Sequence, residues 1–184
     1  MSSHIDIIGS VIIAGMIILN FSFFMGERTE SQIESTNKIT AQTEMSDVTQ
    51  TLRYDLRKVG YGCDSVPILR ADETSFVFRA DLENDGTLDT IGYYYGAGAT
   101  LIGETSAPLL YRVVNGHKQA GQDVGINHFR FLYFDVNSYG ALTATTTIES
   151  IRAIGVQLRL RSRMKEEGEY TYSNNEFTIS PKNL

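Results

Sequence analysis

Residues 45–60 read MSDVTQTLRYDLRKVG, and the spacing of their apolar side chains decides the fold. Met45, Val48, Leu52, Leu56 and Val59 recur at intervals of three and four, which places them on one face of an α-helix. The stripe reaches back through Ala41 to Ile33, and no Gly or Pro interrupts the chain between Gly26 and Gly60. Gly60 supplies the stop. The Ser, Thr, Gln, Asn, Glu and Lys around the stripe are too polar to bury and only moderate helix formers. One face is therefore committed to a core that the helix itself cannot provide.

Upstream, the run from Ile7 to Phe24 carries no formal charge, with Ser10, Asn20 and Ser22 as its clearly polar residues. That is the lower edge of a membrane-spanning helix, about 17–25 residues. No Lys or Arg precedes the run, and FSFFMGE (21–27) offers no small-residue cleavage site, so a retained membrane helix is expected rather than a secretory signal peptide. A buried core helix fits less well, because the run is apolar on all faces. Charge does not choose its orientation: the first basic residue, Arg28, lies between Glu27 and Glu30. Joined to the stripe, the run predicts one helix from about Ile5 to Val59, roughly 80 Å long. Two helices joined by a flexible GERTESQ (26–32) linker are the alternative. The expected division is a transmembrane half over 1–26, an amphipathic helix over 27–60 and an antiparallel β domain over 61–184.

Beyond Pro67 the periodicity changes from helical spacing to alternation. SFVFRA (75–80) and LDTIGYYYG (88–96) flank the polar DLENDGT (81–87) as two strands around a turn. PLLYRVV (108–114) ends at Asn115-Gly116, a strong turn pair. HFRFLYFD (128–135) puts Phe129, Phe131 and Tyr133 on one face. IGVQLRL (154–160) sets Ile154, Val156, Leu158 and Leu160 against Gln157, Arg159 and, just beyond, Arg161. The terminal NEFTISPKNL reads as a last strand closed by Pro181. Such alternation marks an antiparallel sheet with one buried and one wet face, and the stripe from Met45 to Val59 is the cover it needs. The expected class is α+β, a helix laid on an antiparallel sheet.

The 184 residues carry a net charge of -6 and a pI near 5.1, which leaves no basic footprint for nucleic acid. The single cysteine, Cys63, excludes an internal disulfide and a cysteine-based zinc site. His4, His117 and His128 lack metal-ligand spacing, and no nucleophile elbow, phosphate loop or dinucleotide fingerprint is present. The Gly-rich GYYYGAGATLIG (92–103) has no Lys and reads as strand and turn. RLRSRMK (159–165) alternates along a strand as a solvated face or a contact for an acidic partner. No catalytic set emerges, so the chain is not expected to be an enzyme. One loop has a metal pattern. Asp81, Glu83, Asp85 and Asp89 stand at positions 1, 3, 5 and 9 of a calcium loop, with Gly86 at the sixth. Position 12 is Gly92 rather than a bidentate Glu, so the segment is either a weak calcium site or a plain acidic hairpin turn.

A spanning helix that continues onto a small antiparallel sheet resembles the type IV pilin superfamily. LRYDLRKVGYGC (52–63) is similar to the helix end and Gly-Tyr-Gly turn of W-type minor pilins, and FVFRADLENDGTLDTIGYYYG (76–96) to the strands that follow there. PLLYRVVNG (108–116) and ISPKNL (179–184) are also similar to J-type pseudopilins of type II secretion. The resemblance implies a structural subunit of a pilus, secretion or DNA-uptake filament, held in the inner membrane with its β domain outside the cytoplasm. Its partners would be other pilin-like chains, an inner-membrane assembly platform and, before assembly, lipid. No cofactor is required beyond possible calcium. Aligning HIDII (4–8) on the family's usual helix start puts Asp6 where the family has its glutamate, and the mature chain would begin at Ser2. The resemblance then gives Asp6 the role of pairing with a neighbour's N-terminal amine. Without it, Asp6 is an acid at a helix start, favoured by the helix dipole. The rival overall reading is a single-pass anchored binding domain, stabilised by calcium, that never polymerises.

Overall fold

A computed structural model describes the backbone of residues 2–97, 108–119, 125–137, 139–166 and 169–184; the side chains of 2–6, 26–34, 97, 162–166 and 169 lie outside the described set. The fold is α+β. Helix α1 spans Ser2–Arg57. Two compact units divide the chain, Met1–Ile39 and Thr40–Leu184.

In the second unit the helical stripe behaves as its spacing dictates. Met45, Val48, Leu52 and Leu56 are buried, as is Val59 just past the helix end, and all five belong to the core. Arg57, in the last turn, suits the negative end of the helix dipole. The chain then turns through Gly60, whose φ of +78° is left-handed and whose missing Cβ would lie 2.7 Å from the Asn183 carbonyl oxygen. The Gly60 amide donates to the Arg79 carbonyl at 3.0 Å, so the helix end is tied to the strand that follows.

Among the described residues the strands are β1 (Ile68–Ala71), β2 (Ser75–Ala80), β3 (Asp89–Ala97), β4 (Pro108–Val114), β5 (His117–Lys118), β6 (Ile126–Val136), β7 (Leu142–Ala144), β8 (Ala153–Glu166) and β9 (Glu169–Ile179). They form two antiparallel sheets, β1-β2-β3-β4-β5 and β7-β6-β8-β9, where a single sheet was expected. Alternation reports which face a strand buries and is silent on which neighbour it pairs with. The Asn115-Gly116 hairpin forms as its turn pair demands, with φ of 51° and 79°. Strand β9 is longer than the terminal segment read from the sequence and pairs with β8 back to Glu166↔Glu169. One core serves the helix and both sheets. Phe76 of the first sheet lies 5.5 Å from Phe131 and 5.8 Å from Tyr133 of the second, centroid to centroid. The Tyr133 hydroxyl donates to the Asp72 carbonyl at 2.7 Å, and the Phe131 amide to the Glu73 carbonyl at 2.8 Å.

Candidate functional site

Two parts of the chain have physical properties that ordinary folding does not explain. The first is the apolar stretch of α1. Ile7–Met25 covers 19 residues with a mean hydropathy of 2.3, and none of it is buried. At 1.5 Å per residue it is about 28 Å long, close to the hydrocarbon thickness of a bilayer. Its large side chains are exposed from 49% at Met25 to 76% at Phe23. The polar residues of the stretch are already satisfied: Asn20 Nδ2 donates to the Met16 carbonyl at 2.8 Å and Ser22 Oγ to the Ile18 carbonyl at 2.9 Å. Back-bonding of this kind spares a polar side chain the cost of entering hydrocarbon. Ser2 and Asp6 lie on helical backbone, but their side chains, and with them the expected assembly contact, fall outside the described residues.

The second part fastens the other end of α1 to the first sheet. Asp55 is fully buried, on the same face as Leu52 and Leu56. Its Oδ2 accepts from the Tyr93 hydroxyl and from Arg112 Nε, both at 2.6 Å, and its Oδ1 from the second guanidinium nitrogen at 3.2 Å. Tyr93 on β3 and Arg112 on β4 are directly opposed in the ladder, so one helical carboxylate bridges two adjacent strands. Burial works against the Arg112 charge, but the bidentate Asp55 contact overcomes it and raises the guanidinium pKa. Burial, and then the Asp55 charge, push the Tyr93 phenol well above its usual range. Sequence reasoning missed this site. Its signal was an acid falling on an apolar stripe.

Tyr133 is pushed up in the same way by burial and by Asp72, and Tyr95 by burial alone. A phenol with a raised folded pKa keeps its proton longer in the folded chain than in the unfolded one. The stability it contributes is complete below the unfolded value of about 10 and is lost as pH rises beyond it. The urea midpoint should therefore hold from about pH 7 to 9 and fall above about 10, and Tyr133→Phe should flatten part of that fall. A midpoint unchanged up to about pH 11 would contradict this origin of the raised pKa values.

The acidic loop is a self-closing turn. Asp81 Oδ1 accepts from the Asp85 amide at 3.1 Å and Oδ2 from the Gly86 amide at 2.9 Å. Asp85 Oδ1 takes the Thr87 amide at 2.7 Å, Asp89 Oδ2 the Leu82 amide at 3.2 Å, and Asp89 Oδ1 the Asn115 side-chain amide at 2.7 Å. Burial raises the Asp81 pKa, but the amides of Gly86, Asp85 and Asn84, with the Lys58 charge, outweigh it and hold the carboxyl below its ordinary value. Glu83 stands exposed at the rim. Among the described residues, no three His, Cys, Asp or Glu side chains are grouped to hold a metal ion.

Arg159 and Arg161 of the basic strand lie 4.1 Å from the ring centres of Tyr172 and Tyr170 on β9. His117 and His128 are exposed on β5 and β6, and Cys63 is half-buried with its thiol donating to the Arg79 carbonyl at 3.4 Å. Compared with known protein families, with characterised proteins and with solved structures, the chain matches none.

Proposed function

We propose that the chain is a membrane-anchored, pilin-like structural subunit, a minor pilin or pseudopilin, of a filament-type machine. The observation that carries this reading is helix Ser2–Arg57, whose Ile7–Met25 stretch is apolar and exposed and whose last turns are core to a β domain. A rod of this kind has two apolar environments open to it, lipid and the rods of other subunits. Helix association in lipid rests on packing and interhelical hydrogen bonds rather than on a hydrophobic gain, so a subunit exchanges one environment for the other at modest cost. The β domain would then stand outside the cytoplasm and meet partner subunits. Asp6 would set the register by pairing with the N-terminal amine of a neighbour. An intramembrane acid usually has such a partner. The acidic loop enters this reading as a turn, with calcium at most an addition.

The test uses the full chain in its native membrane, with Cys63→Ala and single cysteines at Ile12, Met16 or Asn20. Crosslinks to pilin-like chains, lost or out of register in Asp6→Ala, are expected. Chains that crosslink to no pilin-like partner would establish the rival, an anchored binding domain that does not polymerise. Crosslinking unchanged by Asp6→Ala would remove the register role and leave the filament reading standing.

A further inference from the structure

A groove runs along the last turns of α1 beside β9, and its charge opposes that of the chain. Two adjoining cavities of about 760 and 320 Å³ share Arg53 and Arg57 in their walls. Lys58 completes the first and Lys182 the second, and no acidic residue among the described ones lines either. Four cations thus line one concave surface of a protein whose net charge is -6. The nearest acids are engaged: Asp55 is consumed in the buried bridge to Arg112, and Glu176, on the same face of β9 as Thr178 and Ser180, accepts from Gln157 at 3.0 Å.

Two of the four cations, Arg53 and Lys58, are held in place. The Arg53 guanidinium lies 4.3 Å from the centre of the Phe177 ring, and the Lys58 ammonium 5.0 Å from that of Tyr54 while it donates to the Leu82 carbonyl. Positioned cations lose little freedom when they meet an anion, and the loss of freedom is what usually weakens an exposed ion pair.

The groove also offers backbone. β9 is the outer strand of its sheet, so alternate amides and carbonyls along it take no part in the ladder with β8. Asn175, hydrogen-bonded to Thr49 at 2.8 Å, and Thr178–Ser180 place that strand in the groove walls beside the arginines. An edge of this kind recognises an extended polypeptide by strand addition, with flanking side chains selecting its sequence.

We infer that the groove between the end of α1 and β9 is a docking site for an extended, carboxylate-rich segment of a partner protein, its backbone along the β9 edge and its acids on Arg53, Arg57 and Lys182. A polypeptide fits better than a nucleic acid, because a strand edge has no counterpart for a sugar-phosphate chain and the rest of this acidic protein repels a polyanion. The inference stands apart from the filament reading, since the groove lies wholly within Thr40–Leu184.

The test is fluorescence anisotropy of labelled peptides on the detergent-solubilised full chain. ETETETET should bind, and QTQTQTQT should bind about tenfold more weakly or not at all. Binding should fall as salt rises to about 0.5 M. ETETETET methylated on alternate backbone nitrogens should lose affinity, because it keeps its charge and loses its ladder. The double reversal Arg57→Glu/Lys182→Glu, both exposed positions, should lose about tenfold while its circular dichroism stays that of the parent and its melting falls only by the loss of the Arg57 charge at the helix end. Equal binding of the Gln peptide, or of the parent and reversed chains, would overturn the acidic preference. Equal binding of the N-methylated peptide would overturn strand addition. A single-stranded oligonucleotide that displaced ETETETET from the same residues would make the groove a general polyanion site and overturn the inference.

Discussion

Asp55→Ala should cost about 3–5 kcal/mol of unfolding free energy, read from the urea midpoint of the full chain in detergent. The substitution removes the acceptor for two donors at once. It leaves Tyr93, 2% exposed, with an unpaired hydroxyl, and Arg112, its side chain 26% exposed, with a half-buried charge facing apolar neighbours. The partial exposure of Arg112 lets water repair some of the damage, which favours the lower end of the range. Asp55→Asn keeps the shape and one acceptor and should lose less. The triple replacement Asp55→Leu/Tyr93→Phe/Arg112→Met should recover most of the loss, because a buried ion pair is worth little against a well-packed apolar substitute. An Asp55→Ala chain within about 1 kcal/mol of the parent would show that the bridge is not what fastens the helix.

Ile13→Arg/Ile17→Arg should move the chain out of the carbonate-washed membrane pellet and into the soluble or aggregated fraction. Both positions flank the middle of Ile7–Met25, where an arginine costs about 2.5–3.5 kcal/mol on insertion scales, so the pair costs about 5–7 kcal/mol. Ser35→Arg, on the same helix beyond the apolar stretch, should leave the chain in the pellet. Retention of the double variant would mean that the stretch is not what anchors the protein.

The elements were legible in the sequence where one periodicity ruled alone. The stripe from Met45 to Val59, the alternation of Phe129, Phe131 and Tyr133, and the turn at Asn115-Gly116 each follow from local geometry, and each forms as read. The division into two sheets was not legible. Whether β6 lies beside β4 or begins a new sheet depends on pairings such as Phe131↔Val156 and Tyr93↔Arg112, which no local pattern records. The buried bridge was missed, though its signals were there: Asp55 falls on an apolar face and Arg112 shares a strand face with Leu110, and only the fold shows that they answer one another. In the acidic loop the spacing of Asp81, Glu83, Asp85 and Asp89 fitted a calcium loop or a plain acidic turn, and Asp81, Asp85 and Asp89 do accept from the turn's own amides. For Asp6, what the sequence proposes is what remains to be measured.

The contact of Asp55 with two strands also has a mechanical meaning. A tension applied to α1 reaches Tyr93 and Arg112 together, and these are opposed residues in the middle of a ladder of seven paired positions. Load that enters a sheet on two neighbouring strands at once tends to be carried by many hydrogen bonds in parallel, whereas load on one outer strand opens them singly. Replacing Asp55 should thus lower the force at which the domain yields as well as its equilibrium stability.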